Sequence, residues 1–210
     1  MQNKRKLSIW FASLGLSSAL ALSSAYLIVP NEGQVVVNEK HVVYSDAVGI
    51  PTACWGLTGK DLYGKSFKVG DEYTEQECIQ MFIPRIKEFE RKVDDLVKVD
   101  YISDYEKASL ISFAYNVGVV NLSNSTLLRK LNNKDHDGAC DELSRWVYAQ
   151  KKKLNGLVKR RAQEKAWCLG EVPKEVEDVY KEIIQIAVIP DKTKDEEFIK
   201  PTKDCQEKKK

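Results

Sequence analysis

The stretch NEGQVVVNEKHVVYSDAVGIPT, residues 31–52, carries Glu32, Glu39, Asp46 and Thr52 among valines and glycines. Carboxylates are the only acid and base groups in the chain with a supporting pattern. There is no serine elbow, no supported His–Cys pair and no phosphate loop. Two carboxyl side chains and a hydroxyl suit hydrolysis of a glycosidic bond. One carboxyl, protonated, assists the leaving group, and the other, ionised, handles water or the sugar cation. A glutamate pressed against apolar surroundings holds its proton to higher pH, and Glu32 comes just after the apolar run Tyr26–Pro30, with Asn31 between. Asp46 ends a strand and enters the turn DAVG, where polar neighbours favour the ionised form. Thr52 follows, with a hydroxyl able to hold a water. Ordinary structural readings stand beside these: Asp before Ala-Val-Gly is often a turn residue, and Glu before Gly often marks a helix end.

These residues need a small β region to hold them. Gln34–Val37 and His41–Ser45 read as two strands of a hairpin around the polar turn Asn38-Glu39-Lys40. Gly49, Pro51, Gly56, Gly59 and Gly64 then punctuate a loop-rich segment. Helices follow. Thr74 with Glu77 and Ser103 with Glu106 read as capping boxes, Pro84 as the end or a kink of the first helix, and Gly118 as a helix stop. NSTLLRKLNN, DHDGACDELSRWVYA and GLVKRRAQEKAWCLG continue the helical half. Mixed, segregated elements predict an α+β fold, a small β lobe plus a larger helical lobe with a cleft between them.

At the N-terminus, Lys4, Arg5 and Lys6 precede an uncharged run from Leu7 to Pro30. It is long enough to span a bilayer, although Ser8, Ser13, Ser17, Ser18, Ser23 and Ser24 dilute it. The reading is an exported chain whose N-terminal apolar helix either is cleaved, anchors permanently, or is weakly held. Residues 8–30 are thus expected to engage a bacterial inner membrane on its periplasmic face, and a weakly held helix would release the rest into the periplasm. Expected units are 1–30 (export helix), 31–170 (catalytic domain) and 171–210 (charged extension interrupted by Pro190 and Pro201).

A net charge of +2 argues against a dedicated nucleic-acid binder. Lys151–Lys153, Lys159–Arg161 and Lys208–Lys210 form local basic runs, either solvated faces or an attraction to a polyanionic envelope. Cys54, Cys78, Cys140, Cys168 and Cys205 lack zinc-knuckle spacing, and His41 and His136 are isolated, so neither metal nor cofactor is expected. Disulfides are compatible with export, but their pairing stays open.

Four segments in order, YSDAVGIPTACWGLTGKD, SFAYNVGVVNLSNSTLLRKLN, GACDELSRWVYA and LNGLVKRRAQEKAWC, resemble the phage-type lysozymes, the endolysins of glycoside hydrolase family 24. The likeness is to the branch with an N-terminal signal-arrest-release helix, and it covers residues 8–170. It implies a lysozyme-like fold and cleavage of the β-1,4 bond between N-acetylmuramic acid and N-acetylglucosamine in peptidoglycan, by a monomer, for host lysis. The family motif is Glu-Gly, then Asp, then Thr. Asp46 and Thr52 match the last two, Tyr44 matches the aromatic before the Asp, and Gly56 matches a turn glycine whose neighbouring histidine is Leu57 here.

The usual acid position falls on Val37. Either VVNEK (36–40) is an insertion that returns Glu32-Gly33 to the motif, or Glu39 moves in, or the acid is lost and the chain is an inactive peptidoglycan-binding protein. By motif match, Tyr115, Asn116, Ser125 and Thr126 are candidate sugar contacts, with core packing for Tyr115 and helix capping for Ser125 as alternatives. Trp146 and Trp167 read as core anchors, and Arg160 and Arg161 as ion-pair partners.

Overall fold

The computed structural model describes residues 4–188. Cys205, Pro190, Pro201 and the Lys208–Lys210 run lie outside the described residues.

The N-terminal run is not one helix. It forms α1 (Lys4–Ser13), α2 (Ser18–Leu22), a π-helical turn (Ser23–Ile28) and a 3-10 turn (Val29–Asn31). Gly15, at φ 75°, breaks it after α1. No helix among the described residues is long and apolar enough to cross a membrane. This corrects the expected membrane-engaged helix at residues 8–30, and with it the inner-membrane location: the segment is core. Phe11, Leu20, Leu22, Leu27 and Ile28 are fully buried. Three of the serines that thin its hydrophobicity, Ser8, Ser23 and Ser24, are buried and hydrogen-bonded within the protein, as burial requires. Ser23 Oγ donates to the Ala108 carbonyl at 2.8 Å, and Ser24 Oγ to the Leu20 carbonyl at 2.6 Å.

The β region comprises β1 (Val35–Val37), β2 (Lys40–Val42), β3 (Tyr44–Ser45), β4 (Pro51–Ala53), β5 (Leu57–Thr58) and β6 (Glu72–Tyr73). The predicted hairpin is present, with Val36 opposite His41. Asn38 and Glu39 sit at φ 48° and 64°, the signs of a tight type I′ turn. The predicted second strand, however, splits. β2 joins a β1-β2-β6 sheet, and β3 joins a β3-β4-β5 sheet. The break is at buried Val43, whose N–H donates to the Asp71 carbonyl and whose carbonyl accepts from the Gly70 N–H.

Helix α3 (Glu75–Leu96) starts at the predicted Thr74–Glu77 capping box. It runs through Pro84 rather than ending there. Cys78, Ile79, Phe82 and Ile86 are buried on both sides of the proline and hold the two halves in line. Helix α4 (Asp104–Val117) ends at Gly118, at φ 88°, as predicted. Ser103 Oγ accepts from the Glu106 N–H, and the buried Glu106 carboxylate, near the Ser103 backbone N–H, is shared with His136 Nδ1 at 2.9 Å.

The helical lobe continues with α5 (Val119–Ser123), α6 (Thr126–Asn132), α7 (His136–Glu142) and α8 (Asn155–Cys168). A small hairpin of β7 (Tyr148–Ala149) and β8 (Lys152–Lys153), absent from the sequence reading, precedes α8. Disulfides pair Cys54 with Cys78, tying the β region to α3, and Cys140 with Cys168, tying α7 to α8.

Beyond Gly170 the chain forms α9 (Lys174–Val188). Its apolar residues Val176, Val179, Tyr180 and Ile183 fall at helical spacing, and Val176, Val179 and Ile183 are buried in the same core as Phe11 and Leu20. Burial stabilises by about 1.5–3 kcal/mol per such side chain, which is what a helix of this length needs to persist.

Candidate active site

Glu32 follows the 3-10 turn, and its N–H donates to the Ile28 carbonyl at 3.0 Å. Its side chain is 18% exposed and turns inward. Oε1 accepts from Arg160 Nη1 at 2.8 Å. Oε2 faces Gly56, where an added Cβ would stand 2.9 Å away. Gly56 is at φ 83°, which favours glycine on its own account. The glutamate expected at the end of the N-terminal run is therefore seated in a fitted place between the helical lobe and the β4–β5 turn.

Arg160 is almost wholly buried and shared. Its Nε donates to Glu164 Oε1 at 3.1 Å, and Nη2 donates to the Ser112 carbonyl at 3.2 Å. Glu164 Oε1 also accepts from Ser112 Oγ at 2.6 Å. Arg161 Nη1 stands 2.7 Å from Glu164 Oε2 as an ion pair out of hydrogen-bond alignment. Burial pushes the Glu164 carboxyl up and the Arg161 guanidinium down, and the opposite charges offset part of both effects. Arg160 and Arg161 are thus ion-pair partners as expected. That one of them holds Glu32 was not legible, because the contact spans 128 residues.

Asp46 has the turn role its sequence allowed. Its Oδ1 accepts from the Val48 and Ile50 N–H groups at 2.9 and 2.8 Å, and its own N–H donates to the Ile50 carbonyl. Both side-chain bonds fall on Oδ1, leaving Oδ2 for other work. Thr52 is buried on β4, and its hydroxyl donates to the Ile50 carbonyl at 3.0 Å. In register it lies opposite Tyr44.

Tyr44 connects these pieces. Its hydroxyl donates to the Gly33 carbonyl at 3.0 Å. Burial raises its hydroxyl pKa, and the nearby Glu32 and Asp46 charges raise it further. Tyr44 is thus a neighbour of both carboxylates.

Tyr115 on α4 donates from its hydroxyl to the Trp55 carbonyl at 2.7 Å, joining the helical lobe to the residue before Gly56. Burial, first, and Glu32, second, push its hydroxyl pKa up. Its ring packs against Phe89 at 5.1 Å, so its packing reading holds. Asn116 is exposed and accepts from Arg161 Nη2. Ser125 is buried and caps α6, accepting from the Leu128 N–H at 3.0 Å. Thr126 opens that helix, half-buried.

Two open clefts flank Trp146. One, of about 340 Å³, is lined by Asn116, Asn121, Tyr148 and Leu154, and the other, of about 250 Å³, by Ser125, Thr126, Glu142 and Arg145. Trp146 is therefore a cleft wall as well as an anchor on Phe113, whereas Trp167 is a buried anchor as expected. Glu39 sits exposed at the β1–β2 turn, and Val37 is exposed on β1.

Two places bring a ring nitrogen or carboxylate near paired sulfurs: His41 by Cys54 and Cys78, and Glu106 by Cys140 and Cys168. In both, the sulfurs are joined to each other, and a disulfide sulfur is not the thiolate that metals bind.

Residues 38–164 match the phage lysozyme family model. The chain belongs to the phage lysozyme family. A SAR-endolysin of bacteriophage PS34 is 38% identical over 151 residues, covering 72% of this chain and 87% of the relative. Among solved structures, the endolysin of Escherichia coli O157:H7 phage FAHEc1 superposes with a TM-score of 0.61 at 27% identity, over 75% of this chain and 94% of the other. A P22 lysozyme mutant gives 0.60 at 28% identity, over 73% and 97%. This phage lysozyme is a glycoside hydrolase, a muramidase that cleaves peptidoglycan in host lysis. The family match begins after Glu32, at residue 38.

Proposed function

We propose that Glu32 is the general acid, Asp46 the charge-stabilising or water-activating carboxylate, and Thr52 the residue that positions the water. The carrying observation is the seat of Glu32: Oε1 on Arg160 at 2.8 Å, Oε2 against a glycine that leaves room for it. Protonation of the glycosidic oxygen needs a carboxyl fixed in place yet open to substrate, and Glu32 retains partial exposure. Asp46 keeps Oδ2 available to oppose positive charge at the anomeric carbon, or to take a proton from water. Thr52 uses its hydrogen on Ile50, so its oxygen is left to accept from a water.

The clefts beside Trp146 support a sugar-binding role for Asn116, Ser125 and Thr126, which line them, whereas Tyr115 and Gly56 line neither and act by holding Trp55 and Glu32 in place. The five-residue segment VVNEK is read as an insertion, since it forms the end of the β1–β2 hairpin and leaves Glu32 at the preceding turn.

Turbidity clearance of purified peptidoglycan tests the assignment. Glu32→Gln and Asp46→Asn are expected to lose activity while Glu39→Gln retains it. Loss in Glu39→Gln with retention in Glu32→Gln overturns it.

A further inference from the structure

Helix α9 lies beyond the residues that match the family, yet it packs on the run that ends at Glu32. Two polar clasps accompany the buried stripe of Val176, Val179 and Ile183. On one side of the helix Arg5 Nη2 donates to Glu182 Oε1 at 2.7 Å. On another, two residues earlier, the Asp104 carboxylate accepts from Ser18 Oγ on α2 and from the Tyr180 hydroxyl on α9. Tyr180 also packs on Tyr105 at 5.1 Å. Burial and Asp104 push its hydroxyl pKa up to about 12, so it remains a donor at neutral pH.

We propose that α9 is a strap that fixes the N-terminal run on the helical lobe, making Val179, Tyr180, Glu182 and Ile183 positioning residues for Glu32. The inference rests on Glu32 being the acid. The physical chain is short. Residues 18–31 are continuously helical and end one residue before Glu32, so a shift or rotation of α1 and α2 is carried along that run to its carboxyl. α9 covers α1 and α2 from outside, through the buried stripe and both clasps. Arg160 and Gly56 receive the carboxyl from inside. A misplacement of about 1 Å at a reacting group can cost roughly 10²-fold in rate.

The test uses the full-length, oxidised chain and four variants: Ile183→Asp, the double Tyr180→Phe/Glu182→Gln, Ile183→Leu and Glu32→Gln. Initial rates on soluble peptidoglycan fragments give kcat and KM. Hydrogen exchange is read separately for residues 4–31 and for α8. Ile183→Asp is expected to lower kcat by roughly 10²-fold with KM little changed, and to raise exchange in 4–31 while α8 stays protected. The double variant gives the same pattern at smaller amplitude, and Ile183→Leu restores activity. Full kcat in Ile183→Asp despite raised exchange in 4–31 overturns the strap. So does exchange rising equally in α8, together with an unaltered double variant, because α9 would then support the whole fold and not Glu32. Full activity in Glu32→Gln removes the acid assignment instead, whatever the exchange of 4–31 shows.

Discussion

Gly56 and Glu32 fit each other through an absent atom: the Cβ that Gly56 lacks would stand 2.9 Å from Glu32 Oε2 and 3.4 Å from its carboxyl carbon. The turn between β4 and β5 therefore specifies where the proposed acid can sit. Gly56→Ala is expected to push the carboxyl off Arg160 and to place alanine at φ 83°. The backbone cost is about 1–2 kcal/mol, and the displacement lowers kcat by roughly ten- to a hundredfold. Thermal melting and turbidity rates, measured together, check it. Wild-type rate with a lowered melting point would confine Gly56 to a backbone role.

Arg160 separates activity from stability differently. Its guanidinium serves the partly exposed Glu32 and the fully buried Glu164. Arg160→Met leaves Glu164 with one charged partner that is not in hydrogen-bond alignment. Breaking a buried pair in this way costs about 3–5 kcal/mol. Glu32→Gln still accepts from Arg160 but leaves the buried Arg160 and Arg161 to share Glu164 alone, so it is expected to cost some stability, though less than Arg160→Met, which strands the fully buried Glu164. Its rate should fall by roughly 10²–10⁴, the usual contribution of a general acid. Urea unfolding of the two variants beside their turbidity rates tests the contrast.

How much of this could be read in the chain depended on distance along it. Local signals held: the Thr74–Glu77 box, the Gly118 stop and the tight turn at Asn38-Glu39 each involve neighbours within a few residues. Asp46 and Thr52 could be proposed because they match the family's spacing. Two readings were incomplete for one reason, that the partner is remote. The Glu106 carboxylate, besides its cap, bonds His136, 30 residues on. Ser23, read as dilution of a membrane run, is satisfied by Ala108, 85 residues on, and that bond is part of what makes the run a core segment. Glu32 could be proposed from sequence only by positing an insertion, whereas its seat is defined by Arg160, at the far end of the catalytic lobe.

The two disulfides predict a redox dependence. They close loops with sequence separations of 24 and 28, and chain-entropy arguments give each about 3 kcal/mol. All four sulfurs belong to buried residues, so a thiol reductant reaches them only when the chain opens. The native protein is expected to keep its activity through brief exposure to dithiothreitol. After unfolding and refolding in the same reductant, its melting temperature should be clearly lowered. Rapid loss of activity in reductant without prior unfolding would contradict the closed packing around both bonds.

His41 supplies the pH prediction. It is 6% exposed, its ring meets Trp55 edge-on at 5.4 Å, and Nδ1 has no hydrogen-bond partner. Burial lowers its pKa below the ordinary 6.5, and the Glu75 charge opposes this only in part. With the folded value depressed, the unfolded chain takes up the proton first. This histidine therefore costs no stability above pH 6.5. As pH falls below 6.5 stability declines, and the decline levels off once the pH passes the depressed folded value. The effect should centre on the β1-β2-β6 sheet, which His41 joins to the core through Trp55. Urea midpoints taken from pH 7.5 down to about pH 5, a span covering the histidine range, are expected to fall in the wild type. They should fall less in His41→Phe, which keeps an aromatic ring against Trp55 and cannot be protonated. Parallel curves for the two proteins would remove His41 as the source of the acid sensitivity.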